Sequence, residues 1–556
     1  MQAEKADLVI LNGKVVTVDR DFSFQEALAV KNGWIINVGH NHKIKEHIGK
    51  GSRVIDLQGK IILPGTHDGH IHATHMGFFL DPKAINLNYP AVKSIGDINK
   101  KLREATKRMK PGEWIVGLGW DSTRLAECAN EHFRTPNRWD FDAVTPDHPI
   151  ALFDYSAHAV VVNSKALEIA GITRETADLK PEYGYFDRDP RTGEPNGHFC
   201  EWGAMRFIGR HMPRLSDEEI EKCIKRIQKH LNENGVTSHA DILGIGGDHL
   251  FFGTWGRRVI EIYEKMFREG KLTARVSINI MAGLEGVQGY DAIVGGLKQT
   301  SLPDFRDRNW VKADIIKIFG DGAPVPEGGY GSFYGATREE QREGLINSII
   351  EAHRRGWQVA VHATMEMALD AAIEAFIKAQ QMYPRESPRH FIIHGDWFTR
   401  EKAAEAFKYK IGLAAQPNVG FHLMDILVKL FGRNRASRLF AHRDLMEAGI
   451  NVAGGSDALC IKPNWRLGAQ FAVTRKTVHD NVYAPELAGN IEDAIRMYTI
   501  NGAYQEHMEN IRGSIEVNKV ADFQVLGDDI FNIEKEKISE IPVVMTICDG
   551  QVVYEA

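Results

Sequence analysis

Cysteine is scarce and unpaired in this chain. The five residues, Cys128, Cys200, Cys223, Cys460 and Cys548, are odd in number, widely spaced and never arranged as Cys-x-x-Cys. That excludes a disulfide framework and a zinc ribbon and fits a reducing compartment. No stretch reaches the ~20 consecutive apolar residues that a bilayer-spanning helix needs. The first twenty residues interleave Glu4, Asp7 and Asp19 with the apolar positions, unlike a secretory leader. Low-complexity segments are absent, and so is an excess of positive charge: 68 Lys and Arg stand against 74 Asp and Glu, a net charge of −6. Without a basic stripe, nucleic acid is not an expected partner. The expectation is a soluble, cytoplasmic protein that binds neither nucleic acid nor membrane and acts on a small molecule.

The chain has 556 residues, more than one ordinary core of ~250–300 residues accommodates, so a large barrel with insertions or several domains is expected. The two ends resemble each other. Asp7 to Val16 and Ala27 to Gly39 read as short strands broken by Asn-Gly, and Ala521 to Leu526 and Val543 to Tyr554 repeat the style with Asp-Gly, both strong turn signals. Neither end suffices for a sandwich alone, so residues 1–61 and 508–556 are expected to build one composite β-sandwich. Between them, β-rich runs alternate with helical periodicity, the pattern of parallel βα units. Strands are predicted at Ile71, Gly235–His239, Ala274–Ile280, Ile315–Phe319, Gln358–His362, His390–His394, Ile411–Ala415 and Ile450–Gly454. Eight is the number that closes a (β/α)8 TIM barrel, here over residues 62–507. From His72 to Gly235 the connection far exceeds a βα loop of ~2–6 residues, so an insertion over about 77–234 is predicted, on the barrel's C-terminal face.

The first predicted strand runs through Gly65-Thr-His-Asp-Gly-His-Ile-His72. Side chains two apart on a strand share a face, so His70 and His72 can aim at one point. Other strands end on His362, His394 and, after Gly454-Gly-Ser, Asp457. In a parallel barrel these ends meet at one mouth. Singly, each reads as well as a hydrogen-bonded histidine or a helix cap; jointly they suggest a metal site. Lys317 lies within the apolar run Ile315-Ile-Lys-Ile-Phe. A buried ammonium must be paired, neutral or modified, and Asp321 or Glu201 are its candidate partners.

Leu63-Pro-Gly-Thr-His-Asp-Gly-His-Ile-His, Lys317, His362, His394 and Gly454-Gly-Ser-Asp457 resemble the amidohydrolase superfamily of metal-dependent hydrolases. Gly513-Ser-Ile-Glu-Val-Asn-Lys-Val-Ala-Asp-Phe and His158-Ala-Val-Val-Val-Asn-Ser-Lys-Ala-Leu are similar to segments of its branch, amidohydrolase family 3, that includes N-substituted formamide deformylases. The resemblance implies two divalent metals, zinc first, with manganese, iron, cobalt or nickel as alternatives. His70 and His72 would bind the first and His362 and His394 the second. Lys317, carbamylated by carbon dioxide, would bridge them, and Asp457 would bind the first metal and carry a proton. Metal-bound hydroxide would then cleave an amide, formamide or cyclic amide C–N bond. The Phe-Gly-Asp-Gly-Ala-Pro-Val-Pro-Glu-Gly-Gly run after Ile318 departs from the family pattern, which weakens any carry-over of substrate.

His158, Glu201, His239 and Trp120 are candidate substrate contacts, and Trp202 and Phe333 candidate pocket walls. A structural role competes for each, most strongly for His239. Glu201 also invites a reading as an alternative bridging ligand. Cys460 has no paired base and is no candidate nucleophile. A mononuclear deaminase acting on a heterocycle is the main rival, although Glu366 lies four residues beyond His362 where that chemistry wants His-x-x-Glu, and it has no need of Lys317. A catalytically silent ligand-binding barrel is the second rival. A homodimer, the commonest enzyme assembly, is compatible with the chain.

Overall fold

Eight short strands, most flanked by helices, assemble into one parallel sheet in strict chain order. A computed structural model describes residues 3–129, 134–180, 183–247, 251–283, 287–322, 334–335, 337–459 and 461–556. The strands are β1 (Thr66–Ile71), β2 (Val236–Gly244), β3 (Arg275–Met281), β4 (Val311–Phe319), β5 (Gln358–Ala363), β6 (Phe391–His394), β7 (Gly412–Ala415) and β8 (Val452–Gly454). Every adjacent pair from β1 to β8 is parallel. The predicted strands recur within a few residues of their expected bounds.

The seam between β8 and β1 is tied at its upper end. Asp457 N–H donates to the His70 carbonyl at 2.8 Å, and Ser456 N–H donates to the Asp68 carboxylate at 2.9 Å. Gly69 permits this approach, since a Cβ there would lie 3.0 Å from the Gly454 carbonyl oxygen. The sheet is thus a nearly closed TIM barrel.

Register decides which side chains face inward. Lys317 pairs with Ala360, and Phe319 with His362, so alternation puts Ile315, Lys317, Phe319, Ala360 and His362 on one face. Ile315, Ala360, Phe391, Ile393 and Ala414 form a small apolar cluster, and the Lys317 and His362 layers lie above it.

The chain termini share sheets. Ile61–Pro64, just before β1, pairs with Phe523–Leu526 from the far end, and a four-stranded sheet of N-terminal strands packs against this six-stranded one. Leu8, Ile10, Leu28 and Val30 meet Ile62, Phe523, Val525 and Ile547 in one core. Between β1 and β2 the chain makes a separate six-stranded sheet, from Ile85–Asn86 to Pro195–Cys200, with its own apolar cluster. No described helix is long and apolar enough to cross a membrane.

Candidate active site

His70, His72, Lys317, His362, His394 and Asp457 line one cavity of about 100 Å³ at the C-terminal ends of the barrel strands. Among the described residues, His70, His394 and Asp457 are the group whose ligand atoms all lie within 4.8 Å of one another. The Asp457 carboxylate is 3.4 Å from His70 Nε2 and 3.6 Å from His72 Nε2. The His362 and His394 rings lie 4.5 Å apart, nearly perpendicular.

Two of these residues reach the cavity only because the backbone is strained. Alternation along β6 puts His394 on the face opposite Ile393. Instead His394 adopts φ 69° and Gly395 φ 58°, which redirects the imidazole into the mouth. Asp457 has φ 53°. Non-glycine residues held in the left-handed region cost about 1–3 kcal/mol each and cluster at functional sites.

The electrostatics favour neutral donors. Burial drives His70, His72 and His362 well below the usual histidine range, with the Lys317 charge adding to the effect at each; His394 is pushed down to about 3, chiefly by burial. Their lone pairs are therefore available at neutral pH. Burial lowers Lys317 to about 7 against the opposing charges of Asp457 and Asp321, so near neutrality much of it is a free amine. Its Nζ is buried without a hydrogen-bond partner among the described residues and sits 4.6 Å from the centroid of the Phe319 ring. The salt bridge to Asp321 or Glu201 weighed from sequence is not formed: Asp321 instead accepts from the Thr364 and Met365 backbone N–H groups and lies 3.4 Å from His362 Nε2.

The other predicted contacts divide. His158 and Trp202 line the cavity, and the His158 ring stacks on Trp202 at 4.9 Å. Glu201 reaches the cavity through His158, whose Nδ1 is 3.2 Å from its carboxylate. Burial lowers the His158 pKa, but Glu201 and Asp154 outweigh it, so the net shift is upward.

Trp120 does not line the cavity. It is buried in the insertion, where its indole N–H donates to the Leu152 carbonyl at 2.7 Å, because an apolar strand residue is worth more in that sheet's core than at the mouth. Trp120→Phe is expected to cost about 1 kcal/mol of stability through the lost hydrogen bond while leaving kcat unchanged, which a denaturant melt and a turnover assay check together.

His239 is also outside the cavity lining. It is fully buried and lowered to about 3, chiefly by burial and then by the His67 charge, and so falls with the buried group around His67, Glu506 and Arg512. Phe333 and Cys460 fall outside the described residues.

Several residues escaped sequence reading. Asp241 accepts from the N–H groups of Ala73 and Thr74 and from the hydroxyls of Thr74 and Tyr263, anchoring helix α1 (Ala73–Phe79) directly behind His72. Asp68, by gripping Ser456 N–H, sets the turn that carries Asp457. His75, Trp255, Thr364 and Asp396 line the cavity as well. Burial first, then Asp321 and Asp457, raise the Asp396 carboxyl to about 8. The spacing of His75, three beyond His72 on a helix, was the one available signal. Glu366, the acid that a deaminase reading needed, is on the surface, 44% exposed and paired with Arg435.

An outer chamber of about 610 Å³ adjoins the cavity, and the two share Val419, Leu423, Asp457 and Leu459. Its walls join the insertion, through Tyr89 and Leu118, to α1 through Phe79.

Comparison with known proteins agrees with this geometry. A Bacillus subtilis (strain 168) protein named as an amidohydrolase, YtcJ, is 29% identical over 98% of both chains. The N-substituted formamide deformylase of Arthrobacter pascens is 25% identical over 99% of this chain and 98% of its own. In fold, the chain is similar to an uncharacterized metal-dependent hydrolase from Pyrococcus horikoshii OT3, with TM-score 0.70 and 22% identity over 95% of this chain and 99% of that one. The amidohydrolase family model matches residues 53–554. A parallel barrel whose strand ends carry imidazoles, a carboxylate and a buried amine to one mouth is thus the fold of a hydrolase acting on non-peptide C–N bonds, and the chain belongs to the amidohydrolase family.

Proposed function

We propose that this enzyme hydrolyses a small amide, formamide or cyclic amide at a centre of two divalent metals, zinc foremost. The observation that carries the reading is the Lys317 amine, without a hydrogen-bond partner among the described residues and buried beside four imidazoles and one carboxylate. Such a donor set is unfavourable when empty and well matched to borderline cations. His70, His72 and Asp457 would hold one ion and His362 and His394 the other, with Lys317 between them. Bound there, the metals would supply hydroxide at neutral pH and polarise a carbonyl.

This chain's residues do the rest. The neutral Lys317 amine forms an N–C bond to carbon dioxide and releases one proton, giving a carbamate anion. Asp457 takes a proton from the attacking water and passes it to the leaving nitrogen. Trp202, Trp255, Phe319 and Leu427 exclude bulk water, which strengthens each charge interaction. The reacting carbonyl would occupy the cavity, and a larger substituent would extend into the outer chamber that shares Val419, Leu423, Asp457 and Leu459 with it.

The test is turnover of metal-loaded protein on N-formyl, N-acyl and cyclic amides. Release of amine that is lost on chelation and restored by Zn²⁺, Mn²⁺ or Co²⁺ supports the reading, and no hydrolysis of any of them overturns it. Lys317→Ala is expected to lower activity by on the order of 100-fold and to regain part of it with added short carboxylates, which replace the missing anion. Full activity of the alanine variant without them would eliminate the carbamate.

A further inference from the structure

The insertion contributes a clamped histidine that the metal centre does not use. His158 sits between the insertion strands Ile150–Asp154 and Ala159–Val162, and its position is fixed from several sides. Its ring stacks on Trp202 at 4.9 Å and meets the edge of Phe319 at 6.0 Å. Trp202 is pinned in turn, its indole N–H donating to the Ala157 carbonyl at 3.0 Å.

Glu201 grips the same residue twice. Its backbone N–H donates to the His158 carbonyl at 2.8 Å, and its carboxylate lies 3.2 Å from Nδ1. To do this Glu201 holds φ 68° and ψ 151°, a region that is essentially reserved for glycine. Gly184 allows it, because a Cβ there would come within 2.7 Å of the Glu201 Cβ. A helix start that needed only its fold would carry glycine at 201. Among the described residues, the glutamate held against that strain places its carboxylate at His158 Nδ1.

A carboxylate at Nδ1 fixes the tautomer of the neutral ring: Nδ1 bears the proton and donates it to Glu201, and Nε2 carries the lone pair. Nε2 is the nitrogen left for the cavity that His158 lines. Resting on the amide hydrolysis proposed above, we propose that His158 Nε2 accepts a hydrogen bond from the substrate's amide N–H and so restricts the enzyme to N-monosubstituted amides. Glu201 is the positioning residue. A tertiary amide has no N–H to offer, leaves Nε2 desolvated and unpaired, and brings a methyl group against the imidazole.

The test compares kcat/KM, in alkaline buffer where the ring is neutral, for one secondary amide and its N-methyl tertiary counterpart. Wild type is expected to prefer the secondary amide by on the order of 100-fold. His158→Phe, which keeps the stacking on Trp202, is expected to lose at least tenfold of that preference. Glu201→Gln and Glu201→Gly are expected to lose part of it through mispositioning, and Glu201→Gly to melt no lower than wild type because the strain is relieved. A general folding defect would lower both rates together and leave their ratio unchanged.

Equal rates for the two amides in wild type, or a preference that survives His158→Phe, overturn the assignment while leaving amide hydrolysis intact. A wild type that hydrolyses neither amide, nor any other, overturns the functional reading and this one with it. A Glu201→Gly variant that keeps the full ratio overturns the role of Glu201.

Discussion

Asp457→Asn is expected to lower kcat by on the order of 1000-fold, within the range seen when a positioned proton carrier is removed. Asparagine has the same shape, so the turn that presents residue 457 survives. Its N–H to the His70 carbonyl and the Ser456 N–H to Asp68 are backbone donors that the change does not touch. What disappears is a negative charge 3.4 Å and 3.6 Å from two neutral imidazoles, together with the only basic oxygen in that trio. The amide can neither accept the proton of water nor return it to nitrogen. Metal content measured beside kcat separates the two losses. A variant that keeps its metals but not its rate has lost the proton carrier, and one that keeps both shows that Asp457 is neither ligand nor base.

Arg275→Leu is expected to destabilise the protein by about 3–5 kcal/mol, the scale for breaking a buried ion pair by removing one partner. Arg275 opens β3 and is fully buried. Its guanidinium makes two bonds to Asp522, at 2.8 and 3.0 Å, and one to Asp549 at 2.9 Å, and stacks over Trp310 at 4.4 Å. Asp522 immediately precedes the strand Phe523–Leu526, which pairs with Ile61–Pro64. One side chain thus ties the barrel to the sheet made by both termini. Leucine fills some of the volume and leaves the buried Asp522 carboxylate without its guanidinium, although the Asp549 N–H still donates to it. Arg275→Leu paired with Asp522→Asn should recover part of the loss, since the more deeply buried of the two carboxylates is then neutral and the Asp549 carboxylate is partly exposed. Denaturant midpoints of the single and double variants check this. A single variant as stable as wild type would show that the bridge has no structural weight.

The centre was more legible than its surroundings. Each barrel strand is a short apolar run bounded by turn residues, and period and composition suffice to place such elements. His70, His72, Lys317, His362, His394 and Asp457 were legible for the same reason, because each stands at or near the end of such a run. Trp120 and His239 were misplaced because aromatic and imidazole side chains serve a core as readily as a cavity, and period alone cannot separate the two. Asp68 and Asp241 were passed over, and Asp321 was weighed only as a partner for Lys317, because their work is to bind backbone N–H groups, which carry no mark in a sequence.

The amino-acid order alone determined that eight parallel strands would bring four histidines, a lysine and an aspartate to one mouth, because alternation and strand ends are local properties of the chain. Only the tertiary structure decided how that mouth is arranged. His70 groups with His394 as well as with Asp457, where the sequence reading set His70 with His72 and Asp457 and paired His394 with His362. His394 enters through a left-handed residue, against the alternation of its strand. Lys317 has no hydrogen-bond partner among the described residues, and the insertion bends back to set His158 beside Phe319 and His362. These outcomes rest on contacts between residues far apart in the chain, where packing and burial outweigh local preference.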